Sequence, residues 1–340
     1  MDPTAKRMLG RTGVALTQLG FGSAGLGDLF ACLSERESEA TLAAAWDAGV
    51  RYFDTAPWYG RGQSEHRVGH FLRQQARAGF VLSTKVGRTL HPVHAAETFD
   101  RGMWAGGLPF REHFDYSYDG VMRAFEDSLQ RLGLPRIDLL LIHDLDFQYH
   151  RTTPRVEALL AELFTGGWRA LSALKRQGLI RGIGAGINEP GMIPRLLDRM
   201  ELDFFLVALP YTLLEQAVLD TEFPRCAAAG VGIVIGGVFA SGILATGAVP
   251  GAKLNYADAP PEALARVARI EAVCARHGVP LPAAALQFPL GHPSVAAVIP
   301  GAVAPEQVAR NVAAFRHAIP ADFWAELKHA GLLRADAPVP

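Results

Sequence analysis

Four residues sit where a chain that is otherwise burying itself needs a reason to carry a polar group. Asp54 ends the apolar run VRYFDT, Tyr59 follows it in PWYG, Lys85 closes FVLSTK, and His143 closes IDLLLIH. Taken singly, each has an ordinary reading: an Asx-type turn at Asp54, a snorkelling strand end at Lys85, a satisfied core histidine at His143, a packed loop aromatic at Tyr59. Together they can do specific chemistry. A phenol has a pKa of about 10 in water, too high for ready proton exchange near neutrality, and a neighbouring ammonium favours the phenolate. Lys85 is the candidate ammonium. A buried ammonium tends to deprotonate unless a carboxylate pairs with it, which gives Asp54 its place. A neutral His143 can donate to a carbonyl oxygen and orient it. The set is a proton-transfer device for a carbonyl and alcohol pair, with Tyr59 as general acid in reduction and general base in oxidation. It contains no hydride source, so it needs a cofactor.

These residues belong to a repeating frame. Short β-rich runs at 17–22, 50–55, 80–86, 137–144, 180–187, 203–209, 231–237 and 295–300 alternate with longer helical patterns. Several runs are apolar almost throughout, as parallel strands covered on both faces should be. The segment SERESEATLAAAWDAG has Ser34 as N-cap, Glu37 three residues later as in a capping box, and Gly49 at its close. An eightfold strand and helix alternation predicts an α/β fold, a (β/α)8 TIM barrel, with a short N-terminal β-hairpin at RMLGRTGVAL and a C-terminal helical extension. No linker divides the chain, so residues 1–340 read as a single domain. Active sites of such barrels lie at the C-terminal ends of the strands. Asp54, Lys85 and His143 end three successive strands, and Asn188 follows the fifth.

Composition narrows the partners. The 340 residues carry a formal net charge of -1 without a basic run, which argues against nucleic acid and anionic membrane surfaces. Cys32, Cys226 and Cys274 are odd in number and widely spaced, which suits a reducing compartment. The N-terminus MDPTAKRMLGRTG has no export pattern, and the expected location is the cytoplasm. The uncharged stretch 226–252 is broken by glycines and reads as a buried strand with a backbone-lined loop rather than a membrane span. His91 and His94 in HPVH lack a third ligand, so no metal is expected. GFGSAG, Gly20 to Gly25, is a literal G-x-G-x-x-G after a strand, but the next helix begins only near Ser34, too far for a Rossmann turn.

The motifs FDTAPWYG, STKVG and LLIHD, in this order and on these strands, resemble the catalytic tetrad of the aldo-keto reductase superfamily, and the likeness runs from LGRTGVALTQLGFGS to VIPGAVAPEQVARN. The resemblance implies a nicotinamide cofactor in contact with Gly22, Ser23, Ala24 and Asp54 near the first strands. Asn188 would hold the carboxamide, and Phe239, Ser241, Gly301, Gln307 and Asn311 would line the rest. Two departures stand out: the family's strand-six Gln aligns with Ala208, and its stacking aromatic on strand seven aligns with Gly236. Family members that prefer NADP place cations around the 2'-phosphate, whereas IPGAVAPEQVARN offers Gly301, Ala302 and Gln307, with Arg310 the nearest guanidinium in sequence. A phosphate dianion without a cation is poorly held, so NAD is expected, with NADP possible.

The long segment 87–120 is the expected substrate lid, supplying Trp104, Phe110, Phe114 and Tyr116, with Trp58 and Asp144 completing the substrate wall. PFREHFDYSYDGVMRAFEDSLQRLGLPRIDLLLIHDLD and GGVFASGIL resemble the branch of bacterial D-threo-aldose 1-dehydrogenases (L-fucose dehydrogenases) and pyridoxal 4-dehydrogenases. That implies NAD-dependent oxidation of a sugar hemiacetal at C1 to the lactone, with pyridoxal as the second substrate. Alternatives are an NADPH-dependent aldehyde or ketone reductase, and a non-catalytic cofactor-sensing subunit similar to potassium-channel β subunits. A metal-dependent barrel hydrolase is disfavoured, because His and carboxylate ligands do not converge on strand ends. Oligomeric state is not written in these features.

Overall fold

The computed structural model describes residues 1–255 and 257–340. A hairpin of β1 (Lys6–Met8) and β2 (Ala15–Thr17) opens the chain. It is followed by β3 (Phe21–Gly22), β4 (Tyr52–Asp54), β5 (Val81–Val86), β6 (Arg88–Pro92), β7 (Phe110–Phe114), β8 (Leu139–His143), β9 (Gly182–Ile187), β10 (Phe204–Ala208) and β11 (Gly232–Gly236). A small ribbon of β12 (Lys253–Leu254) and β13 (Ala257–Asp258) precedes the last barrel strand, β14 (Val295–Val298). Eight of these strands form one parallel sheet in the order β14-β11-β10-β9-β8-β5-β4-β3. Parallel bridges from Leu19 to Val298 and from Gly22 to Gly301 join the two edges. The sheet therefore closes, as a (β/α)8 barrel requires, and all eight predicted strands are its staves.

Strand alternation fixes what faces inward. Tyr52, Leu139, Leu141, Phe204, Leu206, Val234 and Ala297 share one inner core with Leu9, Val14 and Leu16 of the hairpin. The hairpin plugs the N-terminal end: Arg7 donates to the Val295 carbonyl at 2.7 Å. Inside, Gly184 makes room for a neighbour, since a Cβ there would lie 2.6 Å from the Phe204 ring. Phe53, Leu82, Leu140, Ile142, Phe205 and Ile233 belong to the outer core beneath the helices. Each strand is thus apolar on both faces, which is why its sequence hardly alternates.

The helix Glu35–Asp47 starts at Ser34 with the predicted capping box. Between Gly22 and that helix lies only the 3-10 turn Ala24–Gly27, which removes the strand-turn-helix that a Rossmann phosphate loop needs. Helices Pro305–Arg316 and Ala321–His329 form the C-terminal extension. Among the described residues, no helix is long and apolar enough to cross a membrane.

Candidate active site

Inward positions at the C-terminal ends of β4, β5 and β8 are Asp54, Lys85 and His143; one pleat below them, Tyr52 and Leu141 belong to the inner core and Ser83 is a buried polar residue. Lys85 and Asp54 are almost fully buried. The ammonium has three donors and three acceptors: Asp54 Oδ2 at 2.7 Å, the Thr55 carbonyl at 2.8 Å and the Tyr59 hydroxyl at 3.2 Å. Ser83 Oγ gives Asp54 Oδ1 a second donor at 2.7 Å. Tyr59 stands on the turn after β4, half-buried, and its phenol is the part of the set that reaches toward solvent. Gly60 shapes that turn: its φ is 63°, and its amide would meet a Cβ on Gly27 at 2.5 Å, so both glycines serve the close approach that seats Tyr59. The His143 ring meets the Tyr59 ring edge-on at 6.0 Å between centroids. Three strands thus bring Lys85 and His143 to the one tyrosine.

Electrostatics sort the roles. Burial pushes the His143 imidazole down to about 3, with Asp144 opposing that fall and Lys85 and Arg88 adding to it. The ring is neutral at any working pH. Asp144 Oδ2 lies 3.4 Å from His143 Nε2 and accepts from Arg88 at 2.5 Å, while Oδ1 accepts from Asn188 at 2.9 Å. Burial alone would raise the Asp144 carboxyl, but His143, Arg88 and Asn188 outweigh it and hold it low. Arg88 is itself buried between the rings of Trp58, Phe114 and Tyr149, at 4.5, 4.2 and 4.6 Å.

The lid aromatics divide. Trp104 is buried with its ring 5.5 Å from that of Trp58 and 6.0 Å from that of Tyr59, so these three form one wall beside the phenol. Phe114 lies opposite Arg88 in the β6/β7 hairpin, whereas Phe110 pairs with Pro92 at its outer end. Tyr116, expected in the substrate wall, is instead fully buried, and its hydroxyl donates to the His143 carbonyl at 2.7 Å. Gly87 permits this, because a Cβ there would lie 2.3 Å from the Tyr116 ring. Asp144 likewise has both oxygens occupied within the protein, which makes it a support of the site rather than an open substrate ligand.

A model of the Aldo/keto reductase family matches residues 18–331. The chain belongs to that family. This aldo/keto reductase is 47% identical to a pyridoxal 4-dehydrogenase of Microbacterium luteolum, across 98% of this chain and 99% of that protein. It is 40% identical to a D-threo-aldose 1-dehydrogenase of a Pseudomonas species, across 94% and 96%. Among solved structures, an aldo-keto reductase of Bacillus halodurans in its holo form superposes with a TM-score of 0.74 at 25% identity, covering 98% of each chain. The protein is an NAD(P)-dependent oxidoreductase.

The reductase's barrel mouth fits such a cofactor. Gly22 and Ala24, Asn188, Phe239 and Ser241, and Gly301, Gln307 and Asn311 follow the C-terminal ends of β3, β9, β11 and β14 and ring the same opening. Gly186 leaves that opening clear: a Cβ there would already touch His143 and Lys85 at 3.8 and 3.9 Å, and anything larger would cover them. Beside it the inward end positions of β10 and β11 are Ala208 and Gly236, paired with each other, so the two departures from the family pattern both leave space. Ala240 and Ser241 both have positive φ without being glycine, and such strained backbone gathers at functional loops.

One of the expected contacts needs correction. Ser23 is buried with its hydroxyl donating to the Asp54 carbonyl at 2.7 Å, so it braces β4 instead of facing a cofactor. Asn188 donates its amide nitrogen to Asp144 and Asp146, both at 2.9 Å, so those protons are used within the protein. After β14, Gln307 Oε1 accepts from the Val303 amide at 2.8 Å and Asn311 donates to the Gly301 carbonyl at 3.4 Å. Ala302 is buried there and Arg310 is exposed. Sequence reasoning missed Arg88, Tyr149 and Asp146. A cation directly after a strand end was the available signal for Arg88.

Proposed function

We propose that the protein is an NAD-dependent dehydrogenase of cyclic hemiacetals, oxidising the hemiacetal carbon to a lactone. The observation that carries it is the arrangement Asp54 to Lys85 to Tyr59, at 2.7 and 3.2 Å, beneath an opening walled by Trp58 and Trp104. When bound, a nicotinamide would supply the two-electron hydride acceptor that the chain's own residues lack. Tyr59 takes the hydroxyl proton, and the Lys85 ammonium stabilises the phenolate on which that proton arrives. Asp54 keeps the ammonium charged in its buried place. Neutral His143 donates to the exocyclic oxygen as it gains carbonyl character, and fixes the C–H bond toward the cofactor. Loss of one hydride and one proton converts the hemiacetal to the lactone and balances the reaction.

Two substrates fit this chemistry, an aldose in its ring form and pyridoxal, whose hydroxymethyl group closes on its own aldehyde. Aromatic walls suit the flat pyridine ring as well as the apolar face of a sugar. Pyridoxal stands first in the test because of the 47% identity, and L-fucose and D-arabinose second. NAD is preferred because Gly301, Ala302 and Gln307 place no cation where a 2'-phosphate would sit. The test is nicotinamide absorbance with NAD or NADP and each substrate. Turnover of a hemiacetal with NAD supports the reading. A higher kcat/KM with NADP overturns the cofactor choice, and turnover confined to NADPH and open-chain aldehydes overturns the whole.

A further inference from the structure

Beyond the tetrad, the barrel mouth holds a second buried ion pair that the reaction as described does not use. Arg88, at the start of β6, and Asp144, directly after His143, are both almost inaccessible. Asp144 has φ 52°, a left-handed backbone that is uncommon outside glycine and that Asp tolerates better than most residues. That turn brings its carboxylate back to the preceding residue's ring, with Oδ2 3.4 Å from His143 Nε2, a contact between the two side chains at ion-pair distance. Arg88 and Asn188 clamp the carboxylate from opposite sides.

We propose that Asp144 is a positioning residue that selects the Nε2–H tautomer of His143, and that Arg88 balances its charge so that the imidazole stays neutral. A carboxylate is an acceptor only, so the ring nitrogen nearest to it is favoured as the one that carries the proton. Nδ1 is buried and has no hydrogen-bond partner among the described residues, so none of them competes for the proton on that side. The nearby negative charge favours the proton on Nε2, where it can be donated to a substrate oxygen. Among the described residues, the charged and titratable groups facing the ring are consistent with this role. Lys85 comes from β5, Arg88 from β6, Tyr59 from the turn after β4 and Asp144 from the ring's own strand, while the Tyr116 hydroxyl holds the His143 carbonyl. An unbalanced Asp144 would favour the imidazolium, which has no lone pair to settle its orientation and would repel Lys85.

This inference rests on the reading of His143 as the oxygen-orienting group, but its test does not need a substrate. In the full-length protein labelled with 15N-histidine, the His143 resonance is assigned by its loss in His143→Gln, and its two nitrogens report tautomer and protonation against pH. The wild type is expected as the neutral Nε2–H form down to pH 5. Arg88→Met should raise the proton affinity of His143 about tenfold or more, Arg88→Lys should restore it, and Asp144→Asn should admit the Nδ1–H tautomer. A structural role alone would change stability and leave these signals in place. An Nδ1–H tautomer in the wild type refutes the proposal even if a variant fails to fold, and so does an Arg88→Met protein that titrates as the wild type. Absence of turnover with every hemiacetal would instead count against the proposed function and leave this tautomer result standing.

Discussion

Replacing Lys85 by Met removes the one cation that pairs with Asp54 among the described residues and leaves a buried carboxylate unbalanced. That carboxylate stays almost inaccessible with Ser83 Oγ as its remaining side-chain donor, at 2.7 Å. Breaking a buried pair by removing one partner costs about 3 to 5 kcal/mol, because an uncompensated charge is left behind. Asp54→Asn strands the ammonium in the same way and should cost a similar amount. The double variant buries neither charge, so its cost should fall short of the sum of the two singles by about 3 kcal/mol. Urea unfolding of the four proteins measures this cycle. Activity gives the contrasting readout: the double variant recovers stability but no catalysis, since Tyr59 still lacks its ammonium. Stability losses that add to within about 0.5 kcal/mol would show that the two groups do not act as a pair.

Two buried groups give the folding stability opposite slopes with pH. His143, held down to about 3 by burial, stays neutral while the unfolded chain binds a proton below about pH 6.5, so stability falls as the medium is acidified; His143→Gln should lessen that fall by about 2 kcal/mol at pH 5. Asp146, pushed up to about 6 mainly by burial, holds its proton more tightly folded than unfolded, so stability falls as pH rises from about 4 to 6, and Asp146→Asn should remove this slope in urea titrations across that range. Gly186→Val should close the barrel mouth over Lys85 and His143, abolishing NAD binding by fluorescence titration while the far-ultraviolet spectrum stays unchanged.

The barrel was legible because its strands are apolar on both faces and are punctuated by helix signals such as the Ser34 capping box. Asp54, Lys85 and His143 were legible for a related reason, since a polar residue at the end of a buried strand stands out against its own run. Trp58 and Trp104 were found from loop composition alone, and they do meet. What the sequence hid depends on contacts between distant segments. Arg88 reads as a lid cation, and only the arrival of Phe114 and Tyr149 on its guanidinium makes it a buried one. Tyr116 looks like any lid aromatic until Gly87 admits its ring beneath the hairpin and turns its hydroxyl to the His143 backbone. Ser23 and Asn188 were placed by likeness to a family pattern. Their hydroxyl and amide protons are used within the chain, which no motif spacing records.

The central claim is that Tyr59 moves the proton while Lys85 makes it able to. Stopped-flow measurement of nicotinamide reduction in a single turnover, in the wild type and in Tyr59→Phe, tests it most directly, with NAD affinity measured alongside. Loss of a positioned acid or base lowers the chemical step by about a hundredfold to ten-thousandfold, and a fall of that size is expected in Tyr59→Phe with NAD affinity unchanged. A Tyr59→Phe protein that reduces NAD at the wild-type rate would contradict it.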